Sequence, residues 1–171
     1  MGAVIVLRAT KKVLRFLGPT QETDPKPSDT ALGDWYVNRI VVDAQPLLVI
    51  LSSLSLLTII EPARGLRALA TRLPELVGAR LGRLGIAPSI VEAELSVMNP
   101  VLVAPTRDPV VLGYLVDFAK AVSFYLPIKG WDTTTLPFVE SRLAETPCHL
   151  GKTTFPETAA KTLLAERWNV A

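Results

Sequence analysis

From Leu32 to Pro62 the chain reads LGDWYVNRIVVDAQPLLVILSSLSLLTIIEP, and no other segment is so apolar or so rich in β-branched and aromatic residues. Between Asp43 and Glu61 there is no charged residue. A membrane-spanning helix needs about 20 predominantly apolar residues in a row. This run falls a little short and contains Gln45, Pro46, Ser52, Ser53, Ser55 and Thr58, so neither a spanning helix nor a membrane partner is expected. Pro46 and the Ser52-Ser53 pair read as turn punctuation between short strands. The expectation is a meander of three antiparallel strands at 35–43, 46–52 and 55–60. The last two are nearly continuous in apolar residues, the pattern of strands buried on both faces beneath helices.

The rest of the chain supplies those helices. Ala3 to Leu7 forms a first strand, dense in β-branched residues. Thr10 is placed as the N-cap of a short helix carrying Val13, Leu14, Phe16 and Leu17, which Gly18-Pro19 stops. Residues 19–31 form a polar loop with three prolines. A short helical turn is expected near Leu66 and Leu69, then a helix over 73–84 with Pro74 in its first turn. Ser89 and Glu92 have capping-box spacing at the start of a helix running to about Met98. Val101 to Ala104 reads as a fourth strand of meander type. Asp108-Pro109 opens a helix to about Tyr125, closed by Pro127. Gly113 lies inside that helix, where glycine costs about 1 kcal/mol relative to alanine, and close approach of another backbone is the expected reason. Further helices are read at 136–145 and from Pro156 to near Trp168, the latter within a C-terminal extension spanning 148–171. The fold class is therefore α+β: one domain over residues 1–171, with a mostly antiparallel sheet of roughly four to six strands covered by about five helices.

Composition narrows the chemistry. The net charge is +2, too small to imply nucleic acid by itself. One cysteine, Cys148, excludes an intramolecular disulfide, and with one histidine as well no metal site or cofactor is expected. The apolar run at the N-terminus is too short for a signal peptide and is followed by Lys11 and Lys12, so a cytoplasmic protein of bacterial type is the simplest expectation. Phosphate loop, dinucleotide fingerprint, zinc-protease helix and nucleophile elbow are all absent.

Five separated motifs occur in order: Leu7-Arg8-Ala9-Thr10-Lys11-Lys12, Leu32 to Asn38, Thr106 to Gly113 followed by Asp117, Leu143 to Pro147, and Phe155-Pro156. Together they resemble a family of bacterial proteins of unknown function, marked by L-R-x-T-K-K, L-G-D-W-Y-x-N, V-L-G and L-x-E-T-P. The resemblance spans nearly the whole chain and implies no activity.

The candidate site residues follow from the residues themselves. On a strand, Asp34, Tyr36 and Asn38 share one face. Arg8 or Lys11 could join them from the first strand and helix, and Asp117 or Glu145 from later helices. Two carboxylates beside a cation suit acid–base or metal-assisted hydrolysis, while a buried salt-bridge network would use the same groups. His149 is a candidate acid–base group on its own; as neighbour of Cys148 it makes a poor catalytic pair. Arg64, Arg67, Arg72, Arg80 and Arg83 face a single acid, Glu75, in the most one-sided charge run of the chain. They read as a solvated face or, with Arg64 and Arg67 foremost, as a phosphate-contacting surface. Two functions follow. One is a non-catalytic soluble interaction module that binds a protein partner or its own copy. The alternative is an enzyme or binder for a phosphorylated or nucleic-acid ligand in a polar cleft near Asp34 and Asn38. Convergence of these residues on one cleft favours the second; scattering, or pairing off individually on the surface, favours the first.

Overall fold

The computed structural model describes residues 4–18, 25–126 and 131–168. In chain order its elements are β1 (Ile5–Ala9), α1 (Lys11–Leu17), β2 (Trp35–Val42), β3 (Gln45–Ser52), β4 (Thr58–Pro62), a 3-10 turn (Leu66–Ala68), α2 (Leu69–Arg83), α3 (Pro88–Ser96), β5 (Val101–Pro105), α4 (Pro109–Tyr125), α5 (Leu136–Ala144), the small strands β6 (Cys148–Leu150) and β7 (Lys152–Thr154), and α6 (Pro156–Trp168). The class is α+β. Of the polar loop expected at 19–31, residues 19–24 lie outside the described residues, as does Pro127.

The apolar stretch forms the meander β2-β3-β4, antiparallel throughout. Its first reversal lies at Asp43-Ala44, both with positive φ (52° and 62°), not at Pro46. Two central residues in that conformation make the tight hairpin turn whose twist matches the strands. Pro46 instead sits inside β3 opposite Val41, one pair beyond the closing pair Val42–Gln45. There no hydrogen bond to β2 is required of it, because alternate pairs of an antiparallel ladder are unbonded. The second reversal does fall at the serines. Ser52 Oγ donates to the Leu32 carbonyl (2.6 Å) and accepts from the Ser55 hydroxyl (2.8 Å). Gly33 lies against this turn with φ +78°, and a Cβ there would stand 2.5 Å from Ser53 Oγ, so the motif glycine is required by both torsion and space.

The complete sheet is mixed, in the order β4-β3-β2-β1-β5. β1 lies beside β2 and β5 and runs parallel to both. Val101–Ala104 therefore joins the sheet through β1 and not through the meander. The physical reason is the connection: α2 and α3 intervene before β5, and a helical crossover returns the chain in parallel orientation.

Alternate residues feed two cores. Trp35, Val37, Leu48, Ile50 and Ile59 face α1, α2, α3 and α6, whereas Tyr36, Leu47, Val49, Leu51 and Ile60 face α4 and α5. Burial on both faces is why β3 carries no polar alternation. Ala160 and Leu164 bring α6 into the first core.

Several local expectations change. The helix expected from 73 begins at Leu69, which leaves Pro74 inside it and not in its first turn. The cap of α3 is Ala87 with Pro88 following, and no side chain caps it, so Ser89 and Glu92 form no capping box. Thr10 occupies the N-cap position of α1 but makes no cap hydrogen bond; its hydroxyl donates to Asn38 Oδ1 (3.1 Å). Asp108 does cap α4, accepting from the amides of Val110 and Val111. Gly113 meets no backbone of another element: among the described residues nothing lies within 4 Å of where its Cβ would be.

Candidate functional site

The motif residues of β1 and β2 do gather, and they satisfy one another. Arg8 lies opposite Tyr36 in the parallel register, so both project from the same sheet face. Arg8 is 4% exposed and Tyr36 2%. The Arg8 guanidinium donates to Asp34 Oδ2 (2.8 Å) and to the Pro105 carbonyl (3.2 Å). Asp34 also accepts from the amide and hydroxyl of Ser28, which fixes the loop that leads into β2. The Tyr36 hydroxyl accepts from the amide of Asp108 (3.0 Å) and so holds the start of α4. Asn38 Oδ1 accepts from Thr10 and from the Arg39 amide. This is an interior network in which a buried cation has its carboxylate and a carbonyl, as such charges require.

The remaining candidates do not join it. Lys11, Asp117, Glu145 and His149 are exposed. Among the described residues, no hydrogen bond or ion pair connects any of them to the Arg8–Asp34 pair. The His149 ring reaches Thr153 across the β6–β7 hairpin (3.4 Å). Cys148 is buried, and burial pushes its thiol pKa up to about 11, the opposite of an activated nucleophile.

The arginines of 64–83 divide into two groups. Arg72 pairs with Glu61 (2.9 Å). Arg83 donates from Nε and Nη2 to Glu140, at 2.8 Å at the closest. Arg80 is buried beside the same carboxylate (3.9 Å) and donates Nε to the Thr58 carbonyl (2.8 Å). Burial lowers its pKa and Glu140 opposes that shift. Arg64, Arg72 and Arg83 line a cavity of about 360 Å³ that also contains Glu61 and Glu140, which pair with Arg72 and Arg83. Arg64 and Arg67 are exposed, and Arg67 lines a separate cavity with Arg15 and Arg39.

Two interior carboxylates escaped the sequence reading. Glu94 is fully buried and accepts from the amides of Ala31 and Leu32 and from the Trp168 indole. Glu140 accepts the Ile60 amide in addition to Arg83. The signal was present: Glu94 falls in the stripe Ile90, Val91, Leu95, Met98, and Glu140 in the stripe Leu136, Val139, Leu143. A carboxylate inside an apolar helical stripe points inward.

The arrangement was compared with known proteins. A domain of unknown function, DUF6933, matches residues 6–159. The chain belongs to this family. No curated protein and no solved structure matches it. The DUF6933 match runs from β1 through the first turn of α6, and so takes in the whole five-stranded sheet and the Arg8–Asp34 network. No helix among the described residues is long and apolar enough to cross a membrane, and no group of three or more His, Cys, Asp or Glu side chains among them could hold a metal ion.

Proposed function

We propose that this domain is a non-catalytic interaction module that pairs with a second copy of itself through the outer stripe of α4. The observation that carries the reading is the self-complementarity of that stripe. Gly113, Asp117, Lys120 and Phe124 recur at helical spacing and are all exposed. Phe124 is 83% exposed, and the Gly113 position is open to solvent. Consider a second α4 laid antiparallel about a two-fold axis level with Phe118 and Ala119. Phe124 of each copy then seats on Gly113 of the other, and Asp117 of each faces Lys120 of the other. An isologous contact needs this reciprocity. It also gives Gly113 a purpose, since no backbone of another element approaches it among the described residues.

Val110 and Val116 are exposed on the same helix and extend the apolar part of the surface. One helix pair buries less than the roughly 1,000 Å² of a standard interface, so the association is weak and reversible. The interior pairing of Arg8 with Asp34 supports this reading over catalysis at that network.

Sedimentation velocity over a concentration series at low salt tests it. Asp117→Lys and Lys120→Asp should each shift the protein toward monomer, and the two combined should restore association. A protein that stays monomeric at every concentration, or single charge reversals without effect, would sink the proposal. A stable complex with a different protein through α4 would replace the second copy as the occupant.

A further inference from the structure

We infer that the cavity between α1, β2 and the 3-10 turn binds the phosphate group of a small molecule through Arg15, Arg39 and Arg67. This site is distinct from the α4 surface, and neither reading depends on the other. The cavity is about 400 Å³ and is lined by Arg15, Phe16, Arg39, Ala63, Gly65, Leu66 and Arg67. No acidic residue is among the described lining residues. That sets it apart from the neighbouring cavity, where Glu61 and Glu140 offset the arginines.

Three guanidinium groups with no acidic partner among the described residues repel one another around one hollow, and a multiply charged anion removes the repulsion. Guanidinium is the side chain best matched to phosphate oxygens, because its planar fork donates in pairs. A second observation points the same way. The Arg39 Nε is buried and has no hydrogen-bond partner among the described residues. An orphaned donor on a charged group is among the most costly features a fold can retain, and an anion held beside the guanidinium would offset that cost. The Arg39 guanidinium is also held in place, 5.3 Å from the centre of the Phe16 ring, a cation–π contact that limits its rotamers before any ligand arrives. Phe16 is 46% exposed, so the ring presents apolar surface beside the cations. A hollow of this volume, part cationic and part apolar, is of the size that ordinary small-molecule sites occupy. It suits a phosphate ester of mononucleotide size better than a polymer, which would need an extended track of charge.

The test is isothermal titration of the full chain, in a buffer free of phosphate, with orthophosphate, pyrophosphate and adenosine monophosphate. Saturable binding that weakens as salt rises is expected for at least one of them. Arg15→Gln and Arg67→Gln, both at exposed positions, should each lower affinity about tenfold, the loss expected of one charge-assisted hydrogen bond. Lys152→Gln, on the β6–β7 hairpin, should leave it unchanged. Tighter binding of the nucleotide than of orthophosphate identifies an ester as the ligand; the reverse identifies free phosphate. No saturable binding of any of the three at low salt overturns the inference. So does binding that survives the combined Arg15→Gln and Arg67→Gln substitution in a variant with an unchanged circular dichroism spectrum.

Discussion

Arg80 and Glu140 meet across the open edge of β4, 3.9 Å apart, and between them take two of the groups that a further strand would bond. Arg80 donates to the carbonyl of Thr58, and Glu140 accepts from the amide of Ile60. The two side chains come from helices on opposite faces of the sheet, α2 and α5, so the pair also clasps the two layers together. Unpaired edges template association with other strands. Here side chains occupy two of the edge's backbone groups. Glu140 is 1% exposed and Arg80 3%. Glu140→Ala leaves Arg80 buried without its carboxylate, and breaking such a pair costs about 3–5 kcal/mol. Urea denaturation should show a loss of that size, and the variant should aggregate more readily on heating. A loss below about 1 kcal/mol, the range of an exposed ion pair, would show the pair to be peripheral.

The Arg8–Asp34 pair makes a second, independent prediction. Asp34→Ala strands a buried guanidinium and should cost about 3–5 kcal/mol. Replacing both partners together, Arg8→Met with Asp34→Leu, removes the charge and keeps comparable volume, and exchanges of this kind are often neutral or stabilising. The double variant should therefore unfold at higher urea than Asp34→Ala alone. If it is no better than the single variant, the Ser28 and Pro105 contacts carry the stability and the ion pair does not.

Cys148 gives the pH prediction. Burial raises its thiol from 9.0 to about 11 in the folded protein. A group whose folded pKa lies above its unfolded value contributes stability that is complete below the unfolded pKa, and that contribution is lost as pH rises toward the folded one. The part of the stability owed to Cys148 is therefore intact below pH 9 and disappears between 9 and about 11. Alkylation of the native protein at pH 8 should be much slower than of the urea-unfolded chain. Cys148→Ala should flatten the alkaline limb of the stability curve. Equal alkylation rates in the two states would contradict the burial argument.

Local chemistry was legible wherever it depended on neighbours in sequence. The meander followed from β-branched density, and the start of α4 from Asp108-Pro109. Where two local codes competed, tertiary contacts chose between them. Thr10 has the chemistry of a cap, but Asn38 offers its hydroxyl an acceptor. Pro74 has the form of a helix start, yet the apolar residues Leu66 and Leu69 extend the helical segment backwards into the first core. The shared face of Asp34, Tyr36 and Asn38 was readable from strand period. Arg8 was among the partners that reading offered; that the Tyr36 hydroxyl would be taken by the Asp108 amide, 72 positions along the chain, was not readable.

The sequence by itself determined the class of elements, the double-sided burial of β3, and the list of groups able to do chemistry. Those depend on periodicity and side-chain type, which are properties of short windows. Only the tertiary structure decided that β1 pairs in parallel on both sides, that Arg80 and Arg83 share Glu140 while Arg15, Arg39 and Arg67 line a cavity with no acid among its described lining residues, and that Gly113 faces open solvent. Pairing of charges and strands depends on which distant segments the packed cores bring within a few ångströms, and no local window contains that information.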